Sequence, residues 1–186
     1  MNFKHYLSLT VFLCVFISQT TAQETSYFKA SIGLNIIDNS NESTRLPWGI
    51  ENAAFENPVV LGLDYQANEE WSFGLNASFN TLEEKGVDSD FYGINVDANY
   101  YFLYNTNRQF FDIYGIMGGG FYHAFEETGI TLAPGAGVNY WFSEFMGINL
   151  TARANFQLNG ENGGVPEVGN FYQYTIGLIW RLGKEF

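Results

Sequence analysis

The sequence predicts an all-β chain, an eight-stranded antiparallel up-and-down transmembrane β-barrel. Three observations lead there. Eight segments alternate apolar and polar residues with a period of two, which is the strand signature. The 43 positions on the apolar faces of those segments carry no charged residue, where the chain's 15% charged content would place about six if charges fell at random. Each segment is about ten residues long, the length a tilted strand needs to cross the apolar layer of a bilayer. Composition agrees: 18% of the residues are aromatic and 20 are glycine, yet the mean hydropathy is only -0.10. Such a chain has two unlike faces rather than a bundle of apolar helices. Its 186 residues suit one domain.

The elements follow in order. Residues 1–22 read as a signal peptide, leaving 23–186 as the barrel domain. Lys4 supplies the positive start, Leu7 to Ile17 the apolar stretch and Ala22 the small residue before the cut. Eleven apolar residues are too few to span a bilayer as a helix. The single cysteine, Cys14, falls in this leader, so the mature chain has no disulfide or thiol chemistry. The first strand sets Phe28, Ala30, Ile32, Leu34 and Ile36 against Lys29, Ser31, Gly33 and Asn35. The second carries Val59 to Ala67 on its apolar face, the third Trp71 to Phe79, and the fourth Tyr92 to Phe102. The fifth, Ile113 to Phe121, is weakened by Gly118-Gly119-Gly120. The sixth runs from Ile130 to Tyr140 and contains Pro134, which cannot donate to a ladder and should mark a bulge or strand start. The seventh is Ile148 to Phe156 and the eighth Tyr172 to Leu182.

Connection lengths alternate. Residues 68–70 and 143–145 are tight and 103–110 moderate, whereas 38–57, 80–90 and 158–170 are long and 122–129 moderate. Short turns at one end and longer loops at the other are the rhythm of barrels in outer membranes. Aromatics collect at both levels. Tyr65, Trp71, Tyr100, Phe102, Tyr140, Trp141 and Trp180 fall near the short turns, and Phe79, Tyr92, Phe121, Phe156 and Tyr172 near the long loops. Amphipathic rings at two heights are interfacial girdles.

With its leader, its eight alternating segments and its last strand Tyr172-Gln-Tyr-Thr-Ile-Gly-Leu-Ile-Trp-Arg-Leu182, the chain resembles the small eight-stranded outer-membrane barrels of the OmpA/OmpX type. The resemblance covers nearly the whole mature chain. It implies the outer membrane of a Gram-negative-type bacterium, with lipid and lipopolysaccharide around the wall, termini in the periplasm and four loops outside. It also implies that the terminal aromatic, Phe186, is the signal read by the barrel-assembly machinery. The peptidoglycan-binding domain that follows some such barrels is not expected, because the chain stops four residues after Leu182.

Alternation alone does not say which face is outside. The polar face is dominated by small residues such as Ser31, Gly33, Gly62, Ser72 and Gly74, which suit a narrow eight-stranded interior. The Gly-x-Trp of soluble lipocalins is missing near the start. The apolar face is therefore expected outside and the polar face in the lumen. Charges enclosed there must be paired or hydrated. Lys29 and Asp64 stand at similar heights on neighbouring strands, Asp97 and Arg153 near mid-height on the fourth and seventh, and Arg181 on the eighth. These five, with Asn95, Asn149, Asn155 and Gln173, are expected to form a polar network that fills the lumen, with a narrow pore as the alternative.

The loops hold twelve acids, from Asp38 and Glu42 to Glu161 and Glu167, against Arg45 and Lys85 alone, in a chain of net charge -12. Nucleic acid is excluded as a partner, since phosphate contacts need clustered bases. No catalytic, metal-ligating or cofactor-binding set is expected. The mature chain has one histidine, His123, and two residues on stands Phe125, where a lipid A deacylase of this architecture would carry serine. The expected role is structural or surface-interactive through the acidic loops, with no particular surface partner indicated. A pore for small solutes is the alternative, and a lipid-modifying enzyme a second one.

Overall fold

Period-two alternation places successive side chains on opposite faces of a strand, and here it does so eight times around a closed wall. A computed structural model describes residues 26–38, 53–54, 56–84, 87–104, 110–158 and 170–183. The leader at 1–22 with Lys4 and Cys14, the acidic stretches 39–52 and 159–169, and Phe186 lie outside the described residues.

The strand segments are β1 (Tyr27–Asp38), β2 (Ala53–Ala54), β3 (Glu56–Gln66), β4 (Trp71–Glu84), β5 (Val87–Leu103), β6 (Phe111–Ala124), β7 (Glu127–Leu132), β8 (Gly135–Trp141), β9 (Met146–Gln157) and β10 (Phe171–Leu182). These ten segments make eight staves. The two residues of β2 only prolong the pairing of β1. Segments β7 and β8 are halves of one stave, since both pair with β6 and both with β9. They part at Ala133-Pro134, where proline has no N–H to give. The wall stays closed across this break: Ala133 N–H donates to Gly118 O at 2.8 Å and Ala154 N–H to Pro134 O at 2.9 Å. By contrast the glycine run 118–120 interrupts nothing, and β6 is continuous from Phe111 to Ala124.

Every stave pairs antiparallel with the next, and β10 closes on β1 from Phe28↔Leu182 to Asp38↔Tyr172. Stepping across registered partners from Tyr27 leads through Gln66, Ser72, Asn99, Ile116, Gly135, Arg153 and Gln173 back to β1 at Ile37. The return point is ten residues up the strand, so the shear is ten on eight strands. With about 3.3 Å per residue and about 4.8 Å between strands, that shear tilts the staves by roughly 40°.

The apolar set faces outward. None of the 43 positions is buried, and Phe73, Leu75, Ile94 and Val96 are 50% to 63% exposed. Tyr65, Trp71, Tyr100, Tyr140, Phe79, Tyr92, Phe156 and Tyr172 are all exposed on that face, and Trp180 is half-buried. Trp71 meets Tyr100 at 5.0 Å between ring centroids, and Phe79 meets Tyr92 edge-on at 5.9 Å. The two levels stand eight residues apart on β4, β5 and β10, or about 20 Å in height at this tilt, close to the apolar band of an outer-membrane barrel. Trp141 departs from the girdle expected of it: it points into the lumen and is 2% exposed.

Two connections differ from the sequence reading. Residues 80–90 are not a long loop, because β4 and β5 run on as a hairpin registered to Glu84↔Val87. Residues 122–129 form another hairpin, closed by Phe125 and Glu126, whose φ values of 51° and 64° carry the type I′ signature. The reason is an inversion of polarity above the outer girdle. There the inward residues are apolar (Leu82, Phe91, Tyr122, Ala124) and the outward ones polar (Asp88, Asp90, His123, Thr128). The strands continue, but the apolar side has changed face.

Candidate functional site: the barrel interior

Closing eight tilted strands leaves an interior just wide enough for side chains, and this one is filled in three tiers. At the long-loop end Ile37, Leu82, Phe91, Tyr122, Ala124, Phe125 and Phe171 pack into an apolar septum. Phe91 lies parallel to Tyr122 at 6.1 Å and edge-on to Phe171 at 5.7 Å. The Phe125 N–H donates to Ser89 Oγ at 2.7 Å, tying the two outer hairpins together.

Mid-height is polar. Arg153 on β9 grips Asp97 on β5 with both ends of its guanidinium, Nη1 to Oδ1 at 2.8 Å and Nη2 to Oδ2 at 2.8 Å. Asn76 Nδ2 adds a third bond to Asp97 Oδ2 at 2.6 Å. Gly118 faces this carboxylate, and a Cβ there would stand 2.2 Å from Oδ1. A side chain at Gly118 would therefore have to push the Asp97 carboxylate out of its grip on Arg153. Asn35, Asn95, Asn155 and Gln173 are buried around and above the pair. A cavity of about 30 Å3 bordered by Asp64, Ser78 and Asn99 has room for about two water molecules. Ser78 Oγ and Asn99 Oδ1 are buried there without a protein partner, which is how internal waters are held.

The third tier closes the short-turn end with rings and cations. Lys29 and Asp64 are registered opposite each other, but their charged heads part. Lys29 Nζ donates to Gln66 Oε1 at 2.7 Å and to the Tyr101 hydroxyl. Asp64 Oδ1 accepts from Asn99 Nδ2 at 2.9 Å. Tyr101 and Tyr114 pack at 5.0 Å between centroids. Asp112 Oδ2 accepts from Trp141 Nε1 at 2.6 Å and from Asn139 Nδ2 at 3.2 Å. The Arg181 guanidinium lies 3.8 Å over the Trp141 ring. Sequence reasoning overlooked Tyr27, Tyr101 and Tyr114 in this tier, left Asp112 on the polar face without a role and assigned Trp141 to the girdle. The signal was present, since all five occupy inward-phase positions of their strands.

Outside the lumen, His123 is exposed at the outer girdle with Nδ1 3.1 Å from Thr128 Oγ1. Asp88, Asp90 and Glu126 are exposed nearby, and Tyr92 donates to Asp90 Oδ2 at 3.2 Å. Among the described residues no three His, Cys, Asp or Glu come together as metal ligands.

An apolar, aromatic-belted outside around a polar, charge-paired inside defines an integral barrel of the bacterial outer membrane. The chain belongs to the family described as the outer membrane protein beta-barrel domain, whose model matches residues 7–181. It resides in the outer membrane of a Gram-negative-type bacterium, within the lipid and lipopolysaccharide of that membrane. Solved structures share the fold. The outer membrane protein OprG from Pseudomonas aeruginosa is 16% identical with a TM-score of 0.61, over 87% of this chain and 98% of that one. Neisserial surface protein A is 18% identical with a TM-score of 0.57, over 86% and 97%. The outer membrane protein AlkL, solved in DMPC lipid bilayers, is 12% identical with a TM-score of 0.54, over 89% and 95%. Identities this low carry the fold alone. No curated protein matches the sequence.

Proposed function

We propose that the protein is a closed, non-conducting barrel whose role is structural or surface-interactive, exercised through the acidic hairpins and loops at its long-loop end. The observation that carries this reading is the obstruction of the lumen. The Asp97–Arg153 pair bridges β5 and β9 at mid-height, beneath an apolar septum, and the cavity of about 30 Å3 beside it is far below that of an aqueous channel. Ions crossing such an interior would have to break a buried ion pair and wet an apolar constriction.

Single-channel conductance of the refolded barrel in a planar bilayer tests this, after heat-dependent gel mobility has established folding. The expected result is silence. Steady discrete steps that change with Arg153→Ala would overturn it in favour of a narrow pore.

The proposal includes no enzymatic activity. His123 stands on the exposed face bonded to the Thr128 hydroxyl, and among the described residues no third group bonds its other ring nitrogen to orient it as a catalytic base. His123→Ala is expected to leave the outer-membrane lipid profile of the host unchanged by mass spectrometry. A changed acyl-chain pattern would count against the non-enzymatic reading.

A further inference from the structure

We propose that the short-turn end of the lumen is an oxyanion site, built on Arg181 and Lys29, for a carboxylate or a phosphate group. The two cations are registered directly opposite each other on β10 and β1, and both are buried, at 8% and 1% exposure. Like charges directly across a ladder repel, and buried cations without counter-charge are costly. Among the described residues no carboxylate comes within ion-pair distance of either. Asp64 and Asp112 act on Lys29 through space, but their hydrogen bonds go elsewhere, Asp64's to Asn99 and Asp112's to Trp141 and Asn139 among others.

At Arg181 the donors have a definite geometry. Nη1 donates to the Glu144 carbonyl at 3.3 Å and the guanidinium carbon lies over the Trp141 ring. Nε and Nη2 are buried with no partner. Those two N–H groups form the side-on fork that holds a carboxylate or phosphate by two parallel bonds. An oxyanion there would satisfy both donors and neutralise the repulsion across to Lys29. Tyr104, which follows β5, lies half-buried over the site with its hydroxyl 3.1 Å from that of Tyr27. Displacement of this ring is the route in. Two sources offer the same chemistry at this end of the barrel: a free anion in the aqueous phase, or the headgroup of an anionic lipid in the adjoining leaflet.

The Trp141 indole N–H, bonded to Asp112 on a ring that the guanidinium covers, is the reporter. The refolded barrel in phosphatidylcholine nanodiscs is titrated with sodium phosphate and with sodium acetate, against sodium chloride at matched ionic strength, and followed by nitrogen–proton NMR. Trp141→Phe assigns the resonance. The expected result is a saturable shift with phosphate or acetate that chloride does not produce, abolished in Arg181→Gln and weakened at least about tenfold in Arg181→Lys, which keeps the charge and loses the fork. In phosphatidylglycerol nanodiscs without added anion, a Trp141 resonance already shifted and no longer responsive to phosphate assigns the lipid headgroup. An unshifted, still responsive resonance assigns the soluble anion. Equal responses to chloride and phosphate, or a response surviving Arg181→Gln, would overturn the site. Should Arg181→Gln yield no heat-modifiable form, phosphate against chloride in the unaltered chain decides alone.

Discussion

Asp97→Ala lowers the stability of the folded barrel by about 3–5 kcal/mol, the penalty for removing one partner of a buried ion pair. The Asp97 side chain is wholly buried and Arg153 is 8% exposed. Truncating the acid leaves a guanidinium that has lost two charge-assisted bonds and cannot turn to water outside the wall. It also strands Asn76 Nδ2, which donates to the same carboxylate. The small cavity beside the pair can admit water to the freed charge, which places the expected loss toward the lower end. Urea-dependent folding in detergent, followed by tryptophan fluorescence, gives the measurement. The double variant Asp97→Leu with Arg153→Met should regain most of the loss, because apolar residues of similar size commonly replace a buried pair without penalty. Wild-type stability in both Asp97→Ala and Arg153→Ala would show that the lumen does not depend on this bridge.

How far the sequence reveals such a structure depends on the physical signal at each point. Outside the lumen the signal is strong, because one charged side chain in hydrocarbon is expensive enough to be purged from every lipid-facing position. Hence the phase of all eight staves is legible from Phe28 to Leu182, and Pro134 announces the break between β7 and β8. The inverse pattern above the outer girdle hides Leu82, Phe91 and Tyr122. Their apolar side chains turn inward to the septum while Asp90 and His123 turn out to water, so hydropathy alone reads a hairpin as loop. Inside the lumen the limit is side-chain length. Alternation says that Lys29 and Asp64 share a face and a height, but a lysine head can reach well away from its backbone. Here it finds Gln66 and Tyr101 instead of the acid beside it. Trp141 misleads for a related reason. A tryptophan at a strand end suits an interfacial girdle equally well, and only its inward phase, one residue after Tyr140, marks it as lining the lumen.

Leu75→Arg tests the outward face itself and is expected to destabilise the barrel by about 2–4 kcal/mol, the cost of arginine at the midplane of a lipid-facing strand. Leu75 is 50% exposed, midway along β4 between Trp71 of one girdle and Phe79 of the other, and registered beside Leu63 and Val96. The guanidinium there has some 10 Å of hydrocarbon to either interface, and the outward acids of β5, Asp88 and Asp90, stand beyond the outer girdle. Thr81→Arg, on the same face of the same strand but two residues beyond Phe79, should cost only about 0–1 kcal/mol, because its charge reaches the headgroups and the exposed Asp90 registered opposite it. The contrast separates lipid depth from any general intolerance of β4 to arginine. It is measured as the difference in urea-dependent folding free energy between the two variants in liposomes. Equal penalties at both positions would mean that strand packing sets the cost. A Leu75→Arg barrel as stable as the unaltered chain would mean that this face does not contact lipid at all, and the inside-out arrangement of polar and apolar residues would have to be given up.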